Sequence, residues 1–156
     1  MLNIIAHTDG ACSGNPGVGG YCAILTANGV EKIVRGHSSK VTTNNQMELR
    51  AVIEVIEWLN KVQKKPCCVE IHTDSKYIVD CTNTKMKDGS KKTRKWFEGR
   101  PNEEMWLELI DKGNKGGHKI RFVKVKGHSG DIFNERCDRI AKEECVIARH
   151  ELYEND

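Results

Sequence analysis

No stretch of this 156-residue chain approaches the roughly 20 consecutive apolar residues that a membrane-crossing helix needs, so no membrane role is expected. Met1, Leu2, Asn3, Ile4 and Ile5 carry no basic flank ahead of a long apolar region, and no secretory leader is expected. There is no internal repeat, no low-complexity tract and no sign of a second domain. One domain over residues 1–150 with a short, loose acidic tail at 151–156 is the expectation. Net charge is small, +3, a weak pull on polyanions. The seven cysteines are odd in number, in a chain long enough to bury a core without staples. Reduced thiols in the cytoplasm are therefore expected. Cys67 and Cys68 are adjacent, which is no zinc-ligand spacing. Nothing indicates an obligate partner, so a monomer is expected.

What is present is ordinary in bulk and uneven in detail. An apolar share of 38% with 30% charged residues suits a soluble globular domain and excludes extensive disorder. The positive charge is concentrated: Lys85, Lys87, Lys91, Lys92, Arg94, Lys95 and Arg100 face only Asp88 and Glu98 in that segment.

Residues 2–8 are rich in Ile and read as a strand. The run 10–20, with five glycines and Pro16, reads as turn and loop. Residues 21–26 and 30–36 read as two strands joined by the hairpin pair Asn28, Gly29. Thr43, Asn44 and Asn45 can start a helix. Met47, Ala51, Val52, Val55, Leu59 and Val62 follow at helical spacing, ending before Pro66. Residues 68–73 alternate as a fourth strand, reached by a crossover that sets it parallel to the first. A helix start at 75–81, a basic irregular stretch at 85–101, a short helix at 103–112, a strand at 120–125, a loop at 126–133 and a helix at 134–149 complete the reading. The class is α/β or mixed α+β: a five-stranded mixed sheet with helices on its faces.

In such sheets, sites lie beyond the carboxyl ends of the parallel strands. Thr8, Asp9, Gly10 closes the first strand and Thr73, Asp74, Ser75 the fourth. If those strands are neighbours, the two carboxylates lie within roughly 5 Å. They would repel, and one would stay protonated unless a cation neutralised the pair. Glu48 falls in the first turn of the long helix and Asp138 in the first turn of the last one. Each acid alone is an ordinary turn, cap or helix-dipole residue. Their convergence on one sheet edge points to metal. Four carboxylates with no His/Cys set beside them favour Mg²⁺ or Mn²⁺ over zinc.

The motifs carry a family resemblance: Thr8, Asp9, Gly10 with Gly14, Asn15, Pro16, Gly17, Gly19, Gly20, Tyr21; Thr43, Asn44, Asn45, Gln46, Met47, Glu48, Leu49; Thr73, Asp74, Ser75, Tyr77; and Lys126, Gly127, His128, Ser129, Gly130 with Asn134, Glu135, Arg136, Cys137, Asp138. In order and spacing these resemble type-one ribonuclease H, the cellular and bacterial class, over about residues 2–148. The resemblance implies a sheet of order 3-2-1-4-5 with helices on both faces. It also implies hydrolysis of the RNA strand of an RNA–DNA hybrid to 5′-phosphate and 3′-hydroxyl ends. Asp9, Glu48, Asp74 and Asp138 would hold two Mg²⁺ ions, Mn²⁺ being a possible substitute. Asp9 would bridge both ions, Glu48 and Asp74 would attend one, and Asp138 the other.

His128, between Gly127 and Gly130, would then serve proton transfer or product release. Cys12, Ser13, Asn15, Thr43, Asn44, Asn45, Gln46 and Asn134 would face the nucleic acid, where 2′-hydroxyls in the minor groove distinguish RNA from DNA. Thr43 would cap its helix and touch a DNA phosphate. Lys91, Lys92, Arg94, Lys95 and Trp96 match the place of a basic protrusion that grips the DNA strand. The chain departs from the usual bacterial pattern there: Thr82, Asn83, Thr84, Lys85, Met86 and Lys87 stand where tryptophans are common. His7 and His72 read as structural, and Cys12 as lining rather than reacting. A non-catalytic binding module, or a nuclease of the same fold for other substrates, are the competing readings.

Overall fold

The structure of the protein, a computed structural model, describes residues 1–83, 92–126 and 131–154. The elements are β1 (Leu2–Ser13), β2 (Gly17–Ala27), β3 (Val30–Thr42), α1 (Asn44–Val62), β4 (Cys67–Thr73), α2 (Lys76–Asn83), α3 (Arg94–Phe97), α4 (Glu103–Gly116), β5 (Lys119–Lys124) and α5 (Ile132–Glu154). The strands form one sheet of order β3-β2-β1-β4-β5. β1 pairs antiparallel with β2 and parallel with β4, and β4 pairs parallel with β5. The expected topology is the observed one. Alternation sorts the side chains by face. Ile4, Ala6, Ala23, Leu25, Val69 and Ile71 join α1 and α4 in the main core. Cys22 and Ile24 point the other way, onto Cys137, Ile140 and Ala141 of α5.

The hairpin between β2 and β3 turns at Asn28 and Gly29, both at positive φ (50° and 78°), the backbone that a two-residue loop of matching twist requires. The glycine-rich run departs most from expectation. β1 continues to Ser13 and β2 resumes at Gly17, leaving only a three-residue turn with a cis Asn15–Pro16 bond. These glycines permit close approach rather than breaking the strands. A Cβ on Gly10 would lie 2.3 Å from the Glu48 backbone nitrogen, and one on Gly20 2.4 Å from the Ala141 carbonyl oxygen. The helices on both faces thus come down directly onto the strands.

Other boundaries shift for local reasons. β3 runs on to Thr42 because Gly36 to Ser38 keep pairing with β2. The basic stretch contains a helical turn, α3, whose Phe97 is buried at 5% exposure. Val62, expected on the buried face of α1, is 47% exposed in its last turn. α4 ends at Gly117 in the left-handed conformation, whose N–H reaches back to Asn114 and Gly113. α5 begins earlier than expected because Asp131 Oδ1 accepts hydrogen bonds from the backbone N–H groups of Phe133 and Asn134, at 2.9 and 3.1 Å. It also ends later: residues 151–154 are helical rather than loose, and Glu151 receives hydrogen bonds from Ser39 and His37 of β3. Among the described residues no helix is long and apolar enough to cross a membrane.

Candidate metal centre and nucleic-acid face

The site forms where β1, β4 and the start of α1 meet. Asp9 is nearly buried on β1, and its Oδ1 accepts the Gly10 N–H at 2.9 Å. Because Gly10 lets α1 approach, Glu48 in the first turn of that helix comes against the strand, 8% exposed. Asp74 follows the last residue of β4. Behind it, Thr73 Oγ1 accepts the Ser75 N–H at 3.0 Å, and Ser75 Oγ accepts the Ile78 N–H at 3.2 Å. These bonds fix the turn and start α2. One ligand oxygen from each of Asp9, Glu48 and Asp74 lies within 4.8 Å of the others.

Such crowding is electrostatically costly. Burial pushes the Asp9 carboxyl up to about 6; the Asp74 and Asp138 charges push in the same direction, against hydrogen bonds to Glu48 and Gly10. Burial, then the Asp9 charge, holds Glu48 well above the usual carboxylate range. Glu48 Oε2 is buried without a hydrogen-bond partner. An orphaned carboxylate oxygen beside two more carboxylates, with oxygen the only donor type, fits a hard divalent cation.

Asp138 sits differently. With α5 starting at Ile132 it falls in the second turn, not the first. Its charge reaches Asp9, but it is not among the three converging carboxylates. Its Oδ2 lies 3.0 Å from the Lys142 ammonium. His128, expected to act in proton transfer, lies outside the described residues.

The residues expected to meet nucleic acid cluster around the start of α1. Thr43 caps that helix, its Oγ1 accepting the Gln46 N–H at 3.2 Å, and Asn15 Oδ1 accepts the Asn44 N–H at 3.2 Å. Asn44 and Asn45 are exposed, and Cys12 and Ser13 are half-buried at the end of β1. Burial, then the neighbouring Cys145, pushes the Cys12 thiol up to about 11, which suits lining rather than reaction. Gln46 is engaged on both ends: Thr42 Oγ1 donates to its Oε1 at 2.7 Å, and its Nε2 donates to Asn102 Oδ1 at 3.2 Å. Asn134 departs from expectation. It is buried at 5% exposure in the first turn of α5, with little surface to offer.

The basic stretch is more internally tied than its charge suggests. Lys92 donates to the Asp80 carbonyl at 2.9 Å and stands 3.9 Å from the centre of the Trp96 ring. The Arg100 guanidinium stands 3.7 Å from the same ring. Trp96 is thus a seat for two cations rather than an open stacking surface. Arg94 pairs with Asp111, while Lys95 is exposed. Lys91 lies outside the described residues.

Two residues of the site escape a reading of the sequence. Asn102, left-handed at φ 62° and ψ 28°, links Gln46 to the Tyr77 hydroxyl, which accepts its Nδ2–H at 3.0 Å. Its place before Glu103 and Glu104 is the only local signal. Lys142 is signalled by its spacing four residues beyond Asp138.

The family model for RNase H matches residues 2–146. The chain belongs to the ribonuclease H family. Ribonuclease H of Caldicellulosiruptor saccharolyticus is 43% identical over 146 residues, covering 91% of this chain and 95% of that one. Ribonuclease H of Novosphingobium aromaticivorans is 43% identical over 150 residues, covering 95% and 100%. Among solved structures, LC11-RNase H1 in complex with an RNA/DNA hybrid shares the fold, with a TM-score of 0.73, 24% identity and coverage of 93% and 98%. As a member of the ribonuclease H family, the chain is an enzyme of the nuclease class.

Proposed function

We propose that this ribonuclease H family member is an endonuclease that hydrolyses the RNA strand of RNA–DNA hybrids, leaving 5′-phosphate and 3′-hydroxyl ends. It would act as a monomer in the cytoplasm. The observation that carries the reading is the convergence within 4.8 Å of Asp9 on β1, Asp74 just after β4 and Glu48 in the first turn of α1, beyond the last parallel pair His7 and His72. Asp9, Glu48, Asp74 and Asp138 would hold two Mg²⁺ ions, with Mn²⁺ as a substitute. Bound there, the ions would activate the attacking water and stabilise the leaving 3′ oxygen.

The chain's own residues prepare that chemistry. Gly10 donates its N–H to Asp9 and fixes one carboxylate oxygen. The Thr73–Ser75 turn fixes the approach to Asp74. Asp9 and Glu48 keep protons to higher pH than free carboxylates, so loading a cation releases protons and weakens in acid. His128 would move a proton near the reacting phosphate or aid product release. Cys12, Ser13, Asn15, Asn44, Asn45 and Gln46 would supply the polar groups needed to sense 2′-hydroxyls, and Thr43 at the helix start suits a phosphate. Lys91, Lys92, Arg94 and Lys95 would steady the DNA strand, with Trp96 seating Lys92 and Arg100.

The direct test incubates the full chain and Mg²⁺ with end-labelled hybrid, duplex DNA and duplex RNA. The expected result is cleavage of the RNA strand of the hybrid alone, stopped by chelation, with 5′-phosphorylated products. Cutting of duplex DNA with the hybrid left intact would replace this reading with that of a fold-related DNA nuclease.

A further inference from the structure

Asp138 and Lys142 stand one helical turn apart on α5, with the Lys142 Nζ 3.0 Å from the Asp138 Oδ2. This is more than a surface pair by position. The Asp9 carboxylate acts on the same ammonium, so Lys142 lies within the field of the carboxylate cluster. Asp138 in turn acts on Asp9, although it stands apart from the three acids that converge. Lys142 also borders a hollow of about 240 Å³ with Cys12, Ser13 and Arg149, which leaves its long side chain open space.

We propose that Lys142 is a positioning residue for the metal centre: its ammonium competes with a divalent ion for the Asp138 carboxylate, and so sets how readily that side of the centre loads. The inference rests on Asp138 being a metal ligand. A small carboxylate cannot serve an ammonium at hydrogen-bond distance and a divalent ion at coordination distance without strong repulsion between the two cations. Lys142 must therefore give way as the ion arrives. Giving way is easy, because its side chain is 65% exposed and an exposed pair of this kind is weak. Until then Lys142 keeps Asp138 oriented on the helix and lowers the net negative charge that would otherwise draw cations to this side.

The test is calorimetric titration of the full chain with Mn²⁺ at low ionic strength, comparing wild type with Lys142→Met, Lys142→Arg and Asp138→Asn. The Asp138-dependent part of binding is whatever Asp138→Asn loses. Lys142→Met should tighten that part by roughly three- to tenfold, the scale of one unit charge near a divalent ion at a protein surface. Lys142→Arg should restore the wild-type curve, and added salt should narrow the gap. Far-UV circular dichroism should be unchanged in every variant. If Asp138→Asn weakens binding while Lys142→Met titrates like wild type, the competition is refuted and Asp138 stands as a ligand. If Asp138→Asn itself titrates like wild type, Asp138 is no ligand and both readings fall.

Discussion

At the residue scale the site is a repulsion held in place by packing. Burial, with its acidic neighbours, pushes the Asp9 carboxyl up to about 6 in the folded chain, from about 4 for a free aspartate. The unfolded chain therefore loses this proton first. Between those two values folding takes up a proton, and stability falls as pH rises. The carboxyl's favourable contribution is complete below the unfolded value and gone above the folded one. Asp9→Asn removes the charge and keeps the shape and the acceptor for Gly10. It should abolish hydrolysis. At pH 7 without divalent ions it should stabilise the fold by on the order of 1–3 kcal/mol, given the size of the shift, raising Tm by roughly 2–4 °C per kcal/mol in a chain of this length. At pH 4 that gain should vanish. Thermal melts at both pH values check this, and equal melting temperatures at pH 7 would show that the cluster carries no repulsion.

At the element scale the decisive contact is α1 on β1. Glu48 reaches Asp9 only because residue 10 has no side chain. Gly10→Ala would put a methyl 2.3 Å from the Glu48 nitrogen and 2.4 Å from the Met47 carbonyl carbon. Both are backbone atoms, so the first turn of α1 must move. Catalytic efficiency should fall on the order of tenfold to a hundredfold, since small misplacements of reacting groups are costly, with about 1–3 kcal/mol of destabilisation from overpacking. Gly29→Ala is the control. It meets nothing within 4 Å and strains only a distant hairpin. It should lose stability and keep its rate, as single-turnover kinetics beside thermal melts would reveal. Equal activity in both variants would place the α1 contact outside the mechanism. On the opposite face, α5 is tied to β3 by Arg35 with Glu143 and Glu144 and by His37 with Glu144 and Glu151. That seam holds the helix carrying Asp138 against the sheet.

At the scale of the whole molecule, a net charge of +3 is too small to bind a polyanion by itself. Grip has to come from distribution. Replacing Lys92, Arg94 and Lys95 together with Ala should weaken hybrid binding and flatten the dependence of log K on log salt by roughly 0.7–0.9 for each phosphate that is no longer neutralised. The rate at saturating hybrid should hold. Fluorescence anisotropy across a salt series measures the slope. An unchanged slope would mean that these charges serve only their internal partners, Asp111 for Arg94 and the Asp80 carbonyl and Trp96 for Lys92.

Local chemistry is enough to read much of this protein. Alternation in β4, helical spacing in α1 and the Asn28–Gly29 turn are short-range patterns; they mark the elements, set β4 parallel to β1 and send Asp9, Glu48, Asp74 and Asp138 toward one sheet edge, while the full strand order is what the family resemblance implies. Expectation fails where the cause lies across the fold. Gly10 and Gly20 look like breakers in sequence, yet their reason is the backbone of α1 and α5 passing over them. Trp96 looks like a stacking surface until Lys92 and Arg100 are seen against its ring, and Asn134 looks available although it lies buried in the first turn of α5. The chain by itself determined which side chains could hold a cation and which elements would carry them, because residue type and periodicity are local. Only the tertiary structure decided how close those elements come and which charges meet: Asp9, Glu48 and Asp74 crowded together, and Asp138 held by Lys142. Those distances depend on packing between segments far apart in sequence.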